Sequence, residues 1–291
     1  MIFGFGTRTA TNTIVENFTK SFGGTYFYNK TTVDKFETTF WPNFNITDWI
    51  KQKTPIIILG ILRGTEKLLW LAKEYNINYY YIDHAYFFRA EKHIPNEITN
   101  EQSYRICVNS ENLNYNINKL MNEEDILRIQ NNKSIIIKKI SPFKSTGNKI
   151  LICPPSEALV RYYKIEQGVQ GWLDKITNII KQQSDKEIVV RYKDSNTPIL
   201  KDFENSYCIV SFQSTIAIEA ILNGIPSFCD ISSSAAPVSN TNLEISKPYI
   251  PNREKIISWI DSLLANQFTM KEITNGVAKR CVDRLQKERY I

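Results

Sequence analysis

Cysteine is sparse in this 291-residue chain, and its five residues, Cys107, Cys153, Cys208, Cys229 and Cys281, are scattered without C-x-x-C spacing. An odd, dispersed set excludes a disulfide framework and a thiolate zinc site as organising features. Histidine is scarcer still, with only His84 and His93, so no histidine-rich metal cluster is available. No run approaches 18 apolar residues, and Met1–Arg8 lacks a basic stretch followed by an apolar one. The sequence therefore reads as neither secreted nor membrane-spanning, with the cytoplasm as its expected location. Internal repeats and low-complexity tracts are also lacking. Charge is only weakly one-sided, 36 basic against 30 acidic residues, which permits a polyanionic partner without demanding one.

What is present is enough apolar material, 42% of the chain, to build two cores, and two domains of about 140 residues are the natural division at this length. Apolar runs of strand length alternate with helical patterns, which predicts an α/β architecture with parallel sheets. Ser, Pro, Gly and Lys concentrate between residues 141 and 148, so the expected domains are 1–145 and 146–291, each Rossmann-like. The pattern over 252–288 predicts terminal helices, one of them crossing back to the first domain.

The second half carries the most informative stretch. Tyr207 to Phe212 predicts a buried strand, Ser214 a helix N-cap, and Ile216 to Leu222 a helix that stops at Gly224 before Pro226. A strand feeding a helix N-terminus leaves first-turn N–H groups and the positive end of the macrodipole facing outward. With the Ser214 and Thr215 hydroxyls, that arrangement suits a phosphate. Glu219, one turn in, is placed to accept hydrogen bonds from ribose hydroxyls. The plain alternative is an αβ crossover whose Ser214 only caps. Glu187 to Val190 predicts a strand ending at Arg191 and Lys193, two cations able to meet a diphosphate. Lys149 to Cys153 predicts another, with Ser156 in the following loop.

In the first half, the strand from Met1 to Phe5 ends in Gly6-Thr7-Arg8, which brings a flexible backbone and a fixed charge to a strand end. As a dinucleotide fingerprint this is poor, because Thr9 stands where the third glycine belongs. Residues 24–46 hold a dense aromatic set, read first as core and second as rings for stacking. Pro55 to Gly60 predicts a buried strand followed by a helix starting near Arg63. Ile77 to Ile82 predicts the next, which delivers Asp83-His84 and Arg89 at its carboxyl end, where ligands of open α/β sheets sit. Asp83 or His84 is thus the general-base candidate. Gly6, Arg8, Arg63, Arg89, Lys138 and Lys139 complete a set expected to line an acceptor-binding cleft, although a lysine run is more often a solvated face.

Residues 214–226 fit the pattern S-[ST]-x-A-x-E-A-x-x-x-G-I-P throughout. In this the chain resembles the donor-binding half of GT-B glycosyltransferases, particularly the capsule-polysaccharide type and related phage-encoded enzymes. Tyr81 to Arg89 is similar to a Y-I-D-H-[GA]-Y-F-x-R segment of the phage enzymes. Arg253 to Lys255, Trp259, Gln267 to Thr269, Glu272-Ile273 and Gly276 resemble their C-terminal helices, with Phe268 in place of Trp. The resemblance implies a GT-B-like fold of two Rossmann-like domains facing a cleft. It also implies a nucleotide-sugar donor, expected to be a UDP-sugar, and displacement at the anomeric carbon. No D-x-D segment is present, so no cofactor or metal is expected. The first expectation for the acceptor is a hydroxymethylated pyrimidine in phage DNA. Capsule or cell-surface polysaccharide is second, and a non-catalytic nucleotide- or sugar-binding module is third.

Overall fold

The computed structural model describes residues 1–7, 9–29, 41–88, 102–144, 146–193, 195 and 197–289. In chain order the first strands and helices are β1 (Phe3–Gly6), α1 (Thr9–Ser21), β2 (Thr25–Tyr28), α2 (Ile46–Gln52), β3 (Ile56–Leu59), α3 (Thr65–Glu74), β4 (Tyr79–His84) and β5 (Ser103–Val108). Then come α4 (Glu123–Ile137), β6 (Lys149–Cys153), α5 (Glu157–Tyr163), α6 (Gly168–Lys181), β7 (Glu187–Val190), α7 (Ile199–Phe203), β8 (Ser206–Ser211), α8 (Ile216–Leu222) and β9 (Ser227–Phe228). The chain ends through α9 (Arg253–Ala265), β10 (Gln267–Thr269), α10 (Met270–Thr274) and α11 (Val277–Arg289). No described helix is long and apolar enough to cross a membrane.

Two compact units result, but a single cut near residue 145 does not describe them. The first is Met1–Glu111 with Leu120–Asp125 and Leu264–Ile291, and the second is Asn112–Lys119 with Ile126–Leu263. Hydrogen bonds explain the exchange. In the second unit Asn116 Nδ2 donates to Ser258 Oγ at 2.6 Å, and Ile117 N donates to Ser262 Oγ at 3.1 Å. Lys133 of α4 pairs with Asp261 of α9 at 2.8 Å. In the first unit the returning chain adds β10 to the sheet edge.

The first unit's sheet has the order β10-β5-β4-β3-β1-β2. Its β2, β1, β3 and β4 are parallel as expected, whereas β5 runs antiparallel to β4 and β10 antiparallel to β5. One face buries Ile57, Tyr80, Ile82 and Ile106 against Ile14, Val15 and Phe18 of α1, with Phe268 and Ile273 closing the same core. The aromatic set supplies further core: Phe5 stacks on Phe27 at 5.4 Å and meets Trp41 edge-on at 5.1 Å. Of the C-terminal residues that carried a family resemblance, Trp259, Phe268 and Ile273 are buried packing residues, whereas Arg253, Glu254 and Lys255 are exposed. Phe268 is buried in that core, while Thr269 and Glu272 form a reciprocal capping box that starts α10.

The second unit's sheet, order β7-β6-β8-β9, is parallel throughout. Its two central strands are apolar at nearly every position because both faces are covered. Ile150, Ile152, Cys208 and Val210 face Leu173 and Ile180 of α6, while Leu151, Cys153 and Ile209 face Ala220 and Ile225. Gly224, predicted as the helix stop, has φ +71, and a Cβ there would lie 2.1 Å from the Pro142 carbonyl oxygen. The glycine admits the segment after α4, which is tied down by Ser141 N to Leu222 O at 2.8 Å and Lys144 N to Gly224 O at 2.9 Å. Gly224→Ala is expected to destabilise by about 1–2 kcal/mol from the left-handed backbone alone, with the displaced segment adding to it. A urea midpoint equal to wild type would show that this contact does not hold the segment.

Candidate functional site

Parallel pairing in the second unit puts the carboxyl ends of all four strands on one edge, with Ile152 beside Val190, Cys153 beside Ser211 and Val210 beside Phe228. The residues following those ends are Ser156, Arg191 with Lys193, and Ser214 with Thr215. The edge thus gathers the expected donor-binding residues from three separate loops.

Their roles differ in detail from expectation. Thr215, not Ser214, is the N-cap of α8, though Ser214 Oγ still accepts from Ile216 N at 3.3 Å. A shift of one residue at a helix end is small. Glu219 is half-buried one turn into α8. Ser156 caps α5 by position but makes no side-chain capping bond, so its hydroxyl is not committed to the helix. Arg191 departs most from the expected pair of free cations. Its guanidinium is bridged to Asp202 and donates to Thr197 Oγ1 at 3.0 Å and to the Thr197 carbonyl at 2.7 Å. It is a loop-holding residue in this structure. Lys193, exposed two positions on, has no ion-pair partner among the described residues.

A network absent from the sequence reading ties this edge together. Gln213, directly before Ser214, accepts from Asn112 Nδ2 at 3.2 Å and donates from Nε2 to Ser232 Oγ. Ser232 Oγ in turn donates to Asp230, whose own backbone N–H donates to Phe212 O at 3.0 Å. Asn112 Oδ1 accepts from Ser234 Oγ at 3.2 Å. The loops after β8 and β9 are locked to each other, and α8 starts from a fixed position. Gln213 was detectable only as the polar neighbour of Ser214. Asn112, about a hundred residues away, carried no signal.

In the first unit, Gly6, Arg63, Asp83 and His84 lie at the carboxyl ends of parallel strands. Gly6 is not left open for a ligand, since a Cβ there would meet Tyr26 Oη at 1.9 Å and Asn12 Oδ1 at 2.3 Å. Arg63 is half-buried with φ 61 at the entry to α3. Asp83 is engaged on all sides: Arg105 at 2.8 Å, Tyr81 Oη donating at 3.0 Å and the His84 N–H donating at 2.7 Å. Burial alone raises its carboxyl, but Arg105, His84 and Tyr81 outweigh that and hold it below the ordinary range. A carboxylate so held is a poor proton acceptor, so the structure does not favour Asp83 as the base, whereas His84 is exposed beside it. Lys138 and Lys139 are exposed just past α4, on neither strand edge. Arg8 and Arg89 lie outside the described residues. Among the described residues no cluster of three or more His, Cys, Asp or Glu could hold a metal ion.

No family model and no curated protein sequence matches this chain. Solved structures do. Thermosulfurimonas dismutans KpsC, described as a beta Kdo 2,7 transferase, aligns with TM-score 0.52 at 10% identity over 96% of this chain and 99% of that one. The beta Kdo 2,4 transferase of the same KpsC aligns with TM-score 0.50 at 10% identity over 89% of each. The chain has the α/β architecture of the GT-B type that these glycosyltransferases share. At that identity the likeness is one of fold.

Asp83 has a consequence for acid stability. A carboxyl held low when folded stabilises above the unfolded value of about 3.9, and that contribution is lost as pH falls through the lower folded value. Asp83→Asn is expected to lower stability near neutrality, by leaving Arg105 without its anion, and to flatten the fall in stability as pH drops below about 4. Thermal midpoints of the two proteins across that window check it. Parallel curves would mean that the ion pair carries no pH-dependent stability.

Proposed function

We propose that the chain is a glycosyltransferase that binds a nucleotide-activated sugar at the carboxyl edge of the second unit's sheet and transfers the sugar to a saccharide hydroxyl. The observation that carries this is the convergence of Ser156, Lys193, Ser214, Thr215 and Glu219 on that single edge. The hydroxyls of Ser156, Ser214 and Thr215 supply donors for phosphate, Lys193 supplies positive charge, and Glu219 supplies an acceptor for ribose. A UDP-sugar is the donor to try first. In the reaction the acceptor oxygen bonds to the anomeric carbon while the bond from that carbon to the phosphate oxygen breaks. The leaving phosphate takes the electron pair, and its negative charge is met by Lys193 and the polar loop. The acceptor proton goes to His84, the exposed imidazole at the end of β4. Arg191 and Asp202 act by holding the loop that displays Lys193.

For the acceptor, the fold neighbours are both named as Kdo transferases, which agrees with a saccharide. Of the basic residues on and just after α4, Lys133 is already paired with Asp261, which leaves fewer to meet the phosphates of a DNA acceptor. A panel of UDP-, GDP- and CMP-sugars, screened for thermal stabilisation, tests the donor site by mass action. Transfer to p-nitrophenyl glycosides, or to hydroxymethylated duplex DNA, then decides the acceptor. If no nucleotide-sugar stabilises or is consumed, the glycosyltransferase reading is wrong.

Lys193→Ala and Glu219→Ala are each expected to weaken donor binding about tenfold or more, as loss of a charge-assisted hydrogen bond does, with the melting temperature unchanged. Normal affinity by calorimetry in either variant removes that residue from the site. His84→Gln is expected to lower kcat by about 10²- to 10⁴-fold with donor affinity intact. Wild-type turnover would place the base elsewhere.

A further inference from the structure

Residues 83–88, which close β4 and lead out of it, are held at several points. Arg105 grips the Asp83 carboxylate and also donates to the His84 carbonyl at 3.3 Å. The same guanidinium lies 5.1 Å from the Tyr86 ring centroid. The Gln267 carboxamide brackets Phe87 from both sides, accepting from its N–H at 3.2 Å and donating to its carbonyl at 3.4 Å. Ala85, Tyr86 and Phe87 are buried, while His84 and Phe88 face outward, Phe88 at 41% exposure.

Phe88 is the anomaly. Its φ of 56 is left-handed, where a bulky L side chain crowds its own backbone. Elsewhere that conformation falls to asparagines, which suit it (Asn43, Asn76, Asn109 and Asn205), and to other polar residues (Lys53, Arg63, Lys164 and Gln167). Among the described non-glycine residues with positive φ, Phe88 is the only apolar one. Burial does not account for the ring, and backbone preference opposes it. Strain that the surroundings enforce, at a segment clamped by Arg105 and Gln267, points to a use for what is displayed.

We propose that residues 83–88 are a rigid platform for the acceptor sugar, in which the Phe88 ring stacks on the apolar face of a pyranose and His84 meets its hydroxyl. This deepens the function proposed above and rests on it. A ring with few rotatable bonds, on a segment already ordered, contacts a sugar face with little further loss of conformational freedom.

The test is Phe88→Gly, because glycine removes the ring and also relieves the left-handed backbone. The expected result is a urea midpoint equal to or above wild type, unchanged donor affinity, and a KM for the p-nitrophenyl glycoside acceptors raised about fivefold or more. Phe88→Trp should restore that KM. A lower midpoint with unchanged KM would make the ring a packing element and overturn the proposal. Wild-type release of nucleotide without transfer to any of these glycosides would overturn the platform and leave the donor site standing. A KM effect confined to hydroxymethylated duplex DNA would overturn the saccharide assignment. Failure of wild type to consume any nucleotide-sugar would remove the function itself, and the platform with it.

Discussion

The parallel register of β6, β7, β8 and β9 is the constraint on which the candidate donor site depends. Once four strands point the same way, the loops that leave their carboxyl ends must lie on one edge. Residues nearly sixty positions apart, such as Ser156 and Thr215, then lie at the same edge. What maintains the register is burial on both faces, since a slip of one residue would turn Ile150 and Ile152 toward the face that Leu151 and Cys153 occupy. The geometry of the edge therefore rests on apolar residues that are not part of the candidate site.

Fixing an edge does not fix a loop, and the loops here have their own devices. Gln213 is engaged at both ends of its amide, by Asn112 and by Ser232, so it positions the turn before α8 instead of offering itself to a ligand. Gly224 works at the other end of the same helix, where the segment from Ser141 to Lys144 passes too close for any side chain. A seven-residue helix is marginal by itself. Held at both ends and buried along Ala217, Ile218 and Ile221, it becomes a stable mount for Ser214, Thr215 and Glu219.

The stretch from Tyr207 to Pro226 was legible because its signals are local: a strand-length apolar run, a hydroxyl cap, helical spacing and a Gly stop. The strand ends at Cys153 and Val190 were legible for the same reason, and β4, expected to end at Ile82, runs on to His84. What was not legible required partners that no local pattern announces. Nothing near Arg191 announces that Asp202 and Thr197 will occupy its guanidinium, and nothing near Asp83 announces Arg105 on an antiparallel neighbour. The edge strand β10 is only three residues long, too short for a period-2 pattern to register, yet it decides that the chain from Leu264 onward joins the first unit. Phe88 was visible only as an aromatic; its left-handed backbone depends on the clamps around it.

Asp83–Arg105 and Arg191–Asp202 invite comparison. Each joins an arginine to an aspartate at the carboxyl end of a strand, in different units, and each has an exposed titratable residue close by, His84 in one and Lys193 in the other. A partly buried ion pair is weak evidence for stability, because desolvation of both charges offsets much of their attraction. It is better evidence for position. A guanidinium that also donates to a nearby carbonyl, His84 O in the first pair and Thr197 O in the second, restricts the backbone as well as the side chain. The neighbouring cation or imidazole is then presented from a braced loop with its own head still in water. In both units one member of a pair read together from the sequence, Asp83 with His84 and Arg191 with Lys193, is thus the brace, and its exposed neighbour is the one to which the proposed chemistry falls.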